Sequence, residues 1–320
     1  MKNLLSALLI LVLAIVFTGC ETQGQDNTDS DEPIEYLLAS LPNDGGEITP
    51  GTQLIIDEMN RALEQYNATV KYVSADDYSV VAESIITGQA HFGTPSGATF
   101  TKAHLEDSDI IPMWVAAPNG NPDEGGYPAF IGTHIDNKSD FEGLSEEEAI
   151  ESLKGKPFSF VSATSTSGRL VPTTTLYDVF GPEGTGDVSS RNYIFEETTE
   201  DGGIFSEVQF GGNHPGSVNL IAEKKVYAGA FCCSYADERE DDIYIISEKR
   251  VPPGPYWTNT KYVDQEHIDA LVDHFTNLDE SNALPGLFGN GEDDIYTPDY
   301  QFVAVDHTFY NFLKEMYAGE

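Results

Sequence analysis

Apolar positions along the chain repeat with two alternating periods, and the alternation predicts the elements. "IEYLLASLP" opens with a near-continuous apolar run that reads as a first strand. In "TPGTQLIIDEMNRALEQYNA" the residues Ile55, Met59, Leu63 and Tyr66 share one helical face, with Thr49 as N-cap and Pro50 at the first helical position. "ATVKYVSA" is extended, and "DDYSVVAESIITG" is a helix opened by an Asp cap and closed by Gly88. "AHFGTPSGA" is a strand ending in a small-residue loop, and "DIIPMWVAAP" is a further strand before the turn-rich "NGNPDEGG". After "YPAFIGTH" the pattern restarts. Ser145 and Glu148 form a capping box before "AIESLKG". Phe158, Phe160 and Val161 then read as a short buried strand, and Leu170, Val171, Leu176 and Val179 take helical spacing. "SEVQFGGNHPGSVNLIAEKKVYAGAF" gives strand, loop, helix and strand, while "DQEHIDALVDHFTNL" and "VDHTFYNFLKEMY" give two closing helices.

Alternating β and α units predict a mostly parallel sheet covered by helices. The chain divides into two α/β lobes, crossing out near Tyr127 and back near Pro252, so that residues 33–127 and 252–320 form lobe 1 and residues 128–251 form lobe 2. Ahead of them, "MKNLLSALLILVLAIVFTGC" carries one basic residue, Lys2, then an apolar run of signal-peptide length and small residues before a cysteine. It resembles a bacterial lipoprotein signal, with residues 1–19 removed and lipid attached to Cys20, although Phe17 stands where Leu is usual. Residues 20–32 contain no apolar anchor beyond Cys20 and read as a disordered stalk. No later apolar run is long enough to cross a bilayer, so the mature protein is expected to be soluble and tethered.

The formal charge of −38 changes the picture of habitat and partners. Acidic residues lie in many loops, "DERED" and "NGEDD" among them, and such self-repulsion is tolerable where salt is high. Nucleic acid is excluded as a natural partner. Besides Cys20, the chain has only the adjacent pair Cys232 and Cys233, which is expected to stay as buried free thiols because a vicinal disulfide needs strained geometry. No CxxC pair or His-rich spacing accompanies them, so neither metal nor cofactor is expected.

Candidate chemistry sits in "KPFSFVSATSTSGRLVP". A strand runs into a helix through a hydroxyl-lined turn, which aims backbone N–H groups and Ser or Thr oxygens at whatever lies before the helix. An anion fits there. His214 precedes Pro215 and so lies near another helix N-terminus, while Thr94 and Ser96 in "FGTPSG" are candidate oxyanion donors from the first lobe.

"DYSVVAESIITGQAHFG", "GGYPAFI", "LKGKPFSFVSATSTSGRLVP", "GGNHPGSVNLIAEKKVYAGA" and "ISEKRVPPGPYW" resemble, in order and spacing, the PhnD-type substrate-binding lipoproteins of ABC transporters for phosphate, phosphite and phosphonates. The specific element is Ser165-Thr166-Ser167-Gly168 followed by "LVP" and coupled to His214. The resemblance implies a type 2 periplasmic-binding-protein fold, two α/β lobes with the ligand enclosed between them. It implies ligand contacts from Tyr78, Tyr127, Ser165, Thr166, Ser167 and His214, and it implies a monomer working with an ABC permease and an ATPase. Relatives that bind aminoalkylphosphonates carry acids where Ser234 and Gly254 stand here, which points to a small phosphorus oxyanion such as phosphate, phosphite or a short alkylphosphonate. Tyr227 replaces the family's usual Asp in its strand. Two other roles share part of this pattern. A sensor docking on a membrane kinase would have the same sequence features, whereas a serine hydrolase would need a G-x-S-x-G elbow that is absent, so no catalytic residue is assigned.

Overall fold

A computed structural model describes residues 33–41, 47–196, 198–233, 239 and 241–318. The expected signal peptide, Cys20, the stalk and Ser234 lie outside the described residues.

One six-stranded sheet contains β1 (Ile34–Ser40), β2 (Ala68–Ser74), β3 (Phe92–Gly93), β4 (Ile110–Pro118), β10 (Tyr256–Asn259) and β11 (Tyr300–Ala304) in the order β11-β4-β10-β3-β1-β2. A five-stranded sheet contains β5 (Tyr127–His134), β6 (Pro157–Phe160), β7 (Glu207–Phe210), β8 (Ala228–Cys232) and β9 (Ile243–Val251) in the order β7-β6-β8-β5-β9. The chain passes between the sheets twice, from β4 to β5 and from β9 to β10. Arg250 ties the two passages together by donating to the carbonyls of Glu124 and Gly125.

The sheets are mixed, which corrects the expectation of mostly parallel pairing. β1 pairs in parallel with β2 and β3, and β6 with β7 and β8. β10 pairs antiparallel with β3 and β4, β11 with β4, and β5 with β8 and β9. Local periodicity reports that a strand exists but not its direction. β5, β10 and β11 run opposite to the other strands of their sheets, and β5 and β10 are also the strands that arrive from the other sheet.

Helices cover both faces of the first sheet. α1 (Pro50–Leu63) and α8 (Gln265–Thr276) enclose Leu38, Met59, Trp114, Leu271 and Phe275 on one side. α2 (Tyr78–Ile86), α3 (Gly97–Glu106) and α9 (Asn311–Ala318) enclose Val81, Phe100, Trp257 and Tyr310 on the other. Trp114 and Trp257 are packing residues, both fully buried. On the second sheet, α4 (Glu146–Glu151), α5 (Val171–Phe180) and α6 (Asn192–Phe195) pack on one face around Phe158, Leu176 and Phe180. α7 (His214–Ala222) packs on the other around Val218, Ile221 and Phe231. Leu170, which belongs to the second lobe's hydroxyl turn, is buried in the first lobe's core with Trp257 and Tyr310. That apolar contact holds the two sheets' cores against each other.

Cys232 and Cys233 are joined as a vicinal disulfide, which corrects the expectation of free thiols. In a regular strand consecutive side chains point to opposite faces. Cys233 leaves the strand with a left-handed backbone, φ 65°, and so turns its sulfur back toward that of Cys232.

Candidate functional site

Five of the loops that follow strand carboxyl ends converge between the sheets, the usual place for a ligand in α/β architectures. The first follows β6. Val161 N donates to Gly168 O, and Gly168 lies so close to Val161 that a Cβ there would come within 2.2 Å of the valine methyl. Only glycine closes that turn. Residues 166–170 form a π turn, wider than the regular helix the sequence suggests, with Leu170 N donating to Ser165 O across five residues. Ser165 caps it, its Oγ accepting from Gly168 N at 3.1 Å. The hydroxyl of Ser165 is thus turned onto its own turn, and the first N–H groups of the turn lack intrahelical acceptors, as at any helix start.

Thr166 reaches across to the first lobe. Its Oγ1 accepts from Ala98 N at 2.8 Å and lies 3.3 Å from Ser96 Oγ. Thr99 Oγ1 completes the clasp by donating to Thr164 O at 3.0 Å, while Ser96 Oγ caps α3 by accepting from Thr99 N. Tyr127, at the start of β5, has the Ser167 and Thr166 hydroxyls beside it. Burial pushes the Tyr127 hydroxyl up and the neighbouring Ser167 and Thr166 hydroxyls only partly offset it, so it stays protonated. Ser96, Tyr127, Ser165, Thr166 and Ser167 therefore form one hydroxyl cluster, with all but Tyr127 buried.

Tyr78, Thr94 and His214 line a cavity of about 200 Å³ together with Ser40, Thr49 and Thr52. Thr94 and Pro95 face this cavity and Ser96, next in the chain, bonds to Thr166, so one loop touches both the cavity and the hydroxyl cluster. The loop is fixed from behind by Trp257, whose Nε1 donates to Thr94 O at 3.1 Å. Three helix N-termini meet at the cavity. Thr49 caps α1, Asp77 caps α2 so that Tyr78 stands at its first position, and Asn213 caps α7 so that His214 stands at its first position. His214 and Tyr78 meet edge to face, with ring centroids 6.3 Å apart. Burial pulls the His214 imidazole down to about 4, so it is neutral at neutral pH.

No Asp, Glu, Lys or Arg is among the described residues lining the cavity. In a chain carrying 54 acidic and 16 basic residues, that composition is selective. Positive potential comes from helix N-termini, and hydrogen-bond donors come from hydroxyls, tyrosine and one neutral imidazole. Ser40, Thr52 and Asn213 were missed as cavity residues by sequence reading. Thr49 was read only as a cap, and convergence of separate caps on one point requires the tertiary fold. Tyr227 lies at the opposite end of β8 from these loops and donates to Asp140, so its departure from the family pattern leaves the cavity untouched.

Two sheet-centred halves linked by two passages, with a donor-lined cavity where their loops meet, define the architecture of a solute-binding protein. Over residues 41–296 the sequence matches the model of a family described as ABC transporter, phosphonate, periplasmic substrate-binding protein. The chain belongs to that family, and so is the extracytoplasmic binding component of an ABC transporter, working with a membrane permease and an ATPase. Among solved structures it is similar to PhnD1 from Prochlorococcus marinus in complex with methylphosphonate, with TM-score 0.65 and 14% identity over 89% of this chain and 97% of that one. It is also similar to a binding-protein component of an ABC phosphonate transporter from Pseudomonas aeruginosa, with TM-score 0.62 and 15% identity over 89% and 86% of the two chains. A Xanthomonas citri protein bound to chloride gives TM-score 0.61 and 15% identity over 89% and 96%. These likenesses establish the fold. A search of curated proteins finds no match.

Proposed function

We propose that the protein captures a small phosphorus oxyanion, namely phosphate, phosphite or a short alkylphosphonate, between its two lobes and delivers it as a monomer to its permease. The observation that carries this is the uncharged cavity at the meeting of three helix N-termini beside the hydroxyl cluster. Phosphoryl oxygens accept several hydrogen bonds each, and such a site supplies donors without a buried counter-charge. Lobe 1 is taken as residues 33–127 and 252–320 and lobe 2 as residues 128–251, with the two passages acting as the hinge.

Capture without turnover is favoured by how the hydroxyls are engaged. Ser165 accepts from Gly168 N and Thr166 from Ala98 N, while the Ser167 hydroxyl stands beside Tyr127. None of the three pairs with a base among these contacts, as an activated nucleophile would. Calorimetric titration with phosphate, phosphite and methylphosphonate tests the proposal. At least one should give a saturable binding heat with no continuing heat of reaction, and silence from all three would sink it.

The hydroxyl cluster gives a finer expectation. Ser167→Ala and Thr166→Val should each weaken the preferred ligand by about 1 to 3 kcal/mol, because each removes a hydroxyl from the cluster proposed to close on the ionised group from beside the Thr94 to Ser96 loop. Ser165→Ala should act through the turn as well, since it removes the π-turn cap. Full affinity in the triple variant would show that the ligand sits elsewhere.

Attachment through a lipid on Cys20 is part of the same proposal. The "FTGC" sequence after an apolar run supports it. Cys20→Ser expressed in a bacterial host should release the protein from the membrane fraction and remove the lipid mass. An unchanged mass and unchanged fractionation would refute the anchor.

A further inference from the structure

The cavity is larger than a phosphoryl group with a methyl substituent requires. Its 200 Å³ equals the liquid volume of roughly six to seven waters. The surplus has a definite chemistry, set by Thr49, Thr52 and Ser40. Thr49 Oγ1 accepts from Thr52 N at 3.0 Å and donates to Thr52 Oγ1 at 2.8 Å. With that pairing, the proton of the Thr52 hydroxyl has no acceptor among the described residues and is available to the cavity. Ser40 has the complementary role. Its Oγ donates to Leu41 O at 3.3 Å, which leaves its lone pairs to accept.

A donor and an acceptor on the wall of one cavity, with no charged side chain among the described lining residues, match a hydroxyl group better than any ion. Among the described lining residues an ammonium would find no carboxylate and a second carboxylate no cation, whereas a hydroxyl can give one bond to Ser40 and take one from Thr52. We propose that the Ser40 and Thr52 end of the cavity is a subsite for a hydroxyl carried on the phosphorus substituent, and that short hydroxyalkylphosphonates are the ligand class it selects. The phosphoryl group then lies at the Tyr78, Thr94 and His214 end. This subsite rests on the phosphonate-binding function proposed above.

The test compares 2-hydroxyethylphosphonate with propylphosphonate, which has the same length but no hydroxyl, and uses methylphosphonate as the reference. Calorimetry on the native protein should give 2-hydroxyethylphosphonate about tenfold tighter binding than propylphosphonate, since a site built to bond a hydroxyl discriminates against its absence. Thr52→Val keeps the side-chain shape and leaves Thr49 able to cap α1. It should abolish the tenfold preference, read as the ratio of the two longer ligands' affinities in the same variant. Ser40→Ala should reduce the preference in the same way, and it guards against a local disturbance of α1. Methylphosphonate binding with no preference between the longer ligands would overturn the subsite alone. So would a Thr52→Val variant that keeps the tenfold preference, or phosphonoacetate binding tighter than 2-hydroxyethylphosphonate. Failure of every phosphorus ligand, methylphosphonate included, would overturn the binding function itself and the subsite with it.

Discussion

At neutral pH, methylphosphonate is expected to bind at least about a hundredfold more tightly than 2-aminoethylphosphonate, a difference of roughly 2.7 kcal/mol. An ammonium enclosed in the cleft loses its hydration, and without a carboxylate beside it nothing offsets a penalty of several kcal/mol. No acid is among the described residues lining the cavity. Gly254, one of the two positions where the resemblance to aminophosphonate-binding relatives implies acids, shows a steric reason as well. A Cβ at Gly254 would stand 2.6 Å from Ser96 N and 2.7 Å from the Pro95 carbonyl carbon. The backbone of the Thr94 to Ser96 loop occupies the space a side chain would need, so a single exchange of Gly254 for Asp would displace that loop rather than supply a counter-charge. Superimposable titration curves for the two ligands would show that the ammonium finds a partner, and would place that partner outside the described cavity wall.

Much of this site was legible as parts and little of it as a site. Thr49 before Pro50, Asp77 before Tyr78 and the Ser145 to Glu148 box were readable because a cap is a contact over three residues. His214 at a helix start followed from Pro215 for the same reason. The bond from Ala98 N to Thr166 spans 68 residues and the contact of Leu170 with the first lobe's core is equally remote, so no local pattern announces either. The π turn escaped because the apolar spacing that starts at Leu170 and continues through Val171 and Leu176 of α5 is compatible with one ordinary helix. Its cause is the bond from Leu170 N to Ser165 O, and that is a backbone event. The vicinal disulfide depends likewise on one backbone angle at Cys233. Strand direction in β5 and β10 depends on the two passages between sheets, which the alternation of periods does not encode.

Glu58→Ala is expected to destabilise the protein by about 3 kcal/mol, and to lower its melting temperature by roughly 5 to 10 °C, while leaving methylphosphonate affinity at low temperature near native. Glu58 is a fully buried acid in the middle of α1. Its carboxylate accepts from Leu284 N at 2.6 Å, from Arg61 Nη1 at 2.9 and 3.0 Å, and pairs with His274 Nε2 at 2.8 Å. It thereby joins α1 to α8 and to the segment after α8. Removal takes the carboxylate acceptor from the Leu284 N–H, the Arg61 guanidinium and His274 Nε2, and the lower end of the usual range applies because Arg61 and His274 keep some solvent. Burial pushes the Glu58 carboxyl up, but the bonds from His274 and Leu284 and the charge of Arg61 together hold it below the ordinary carboxylate value. The native acid is therefore more dissociated than the unfolded one. Its contribution is complete above the unfolded value, about 4.3, and is lost as pH falls through the lower native value. The stability difference between the native protein and Glu58→Gln should accordingly be constant from pH 7 to about 5 and shrink below about 4. Taking the difference cancels the acid sensitivity of groups common to both proteins, His214 among them. Melting curves that stay equally far apart down to pH 3, or that coincide at pH 7, would show that the Glu58 network does not hold α1 in place.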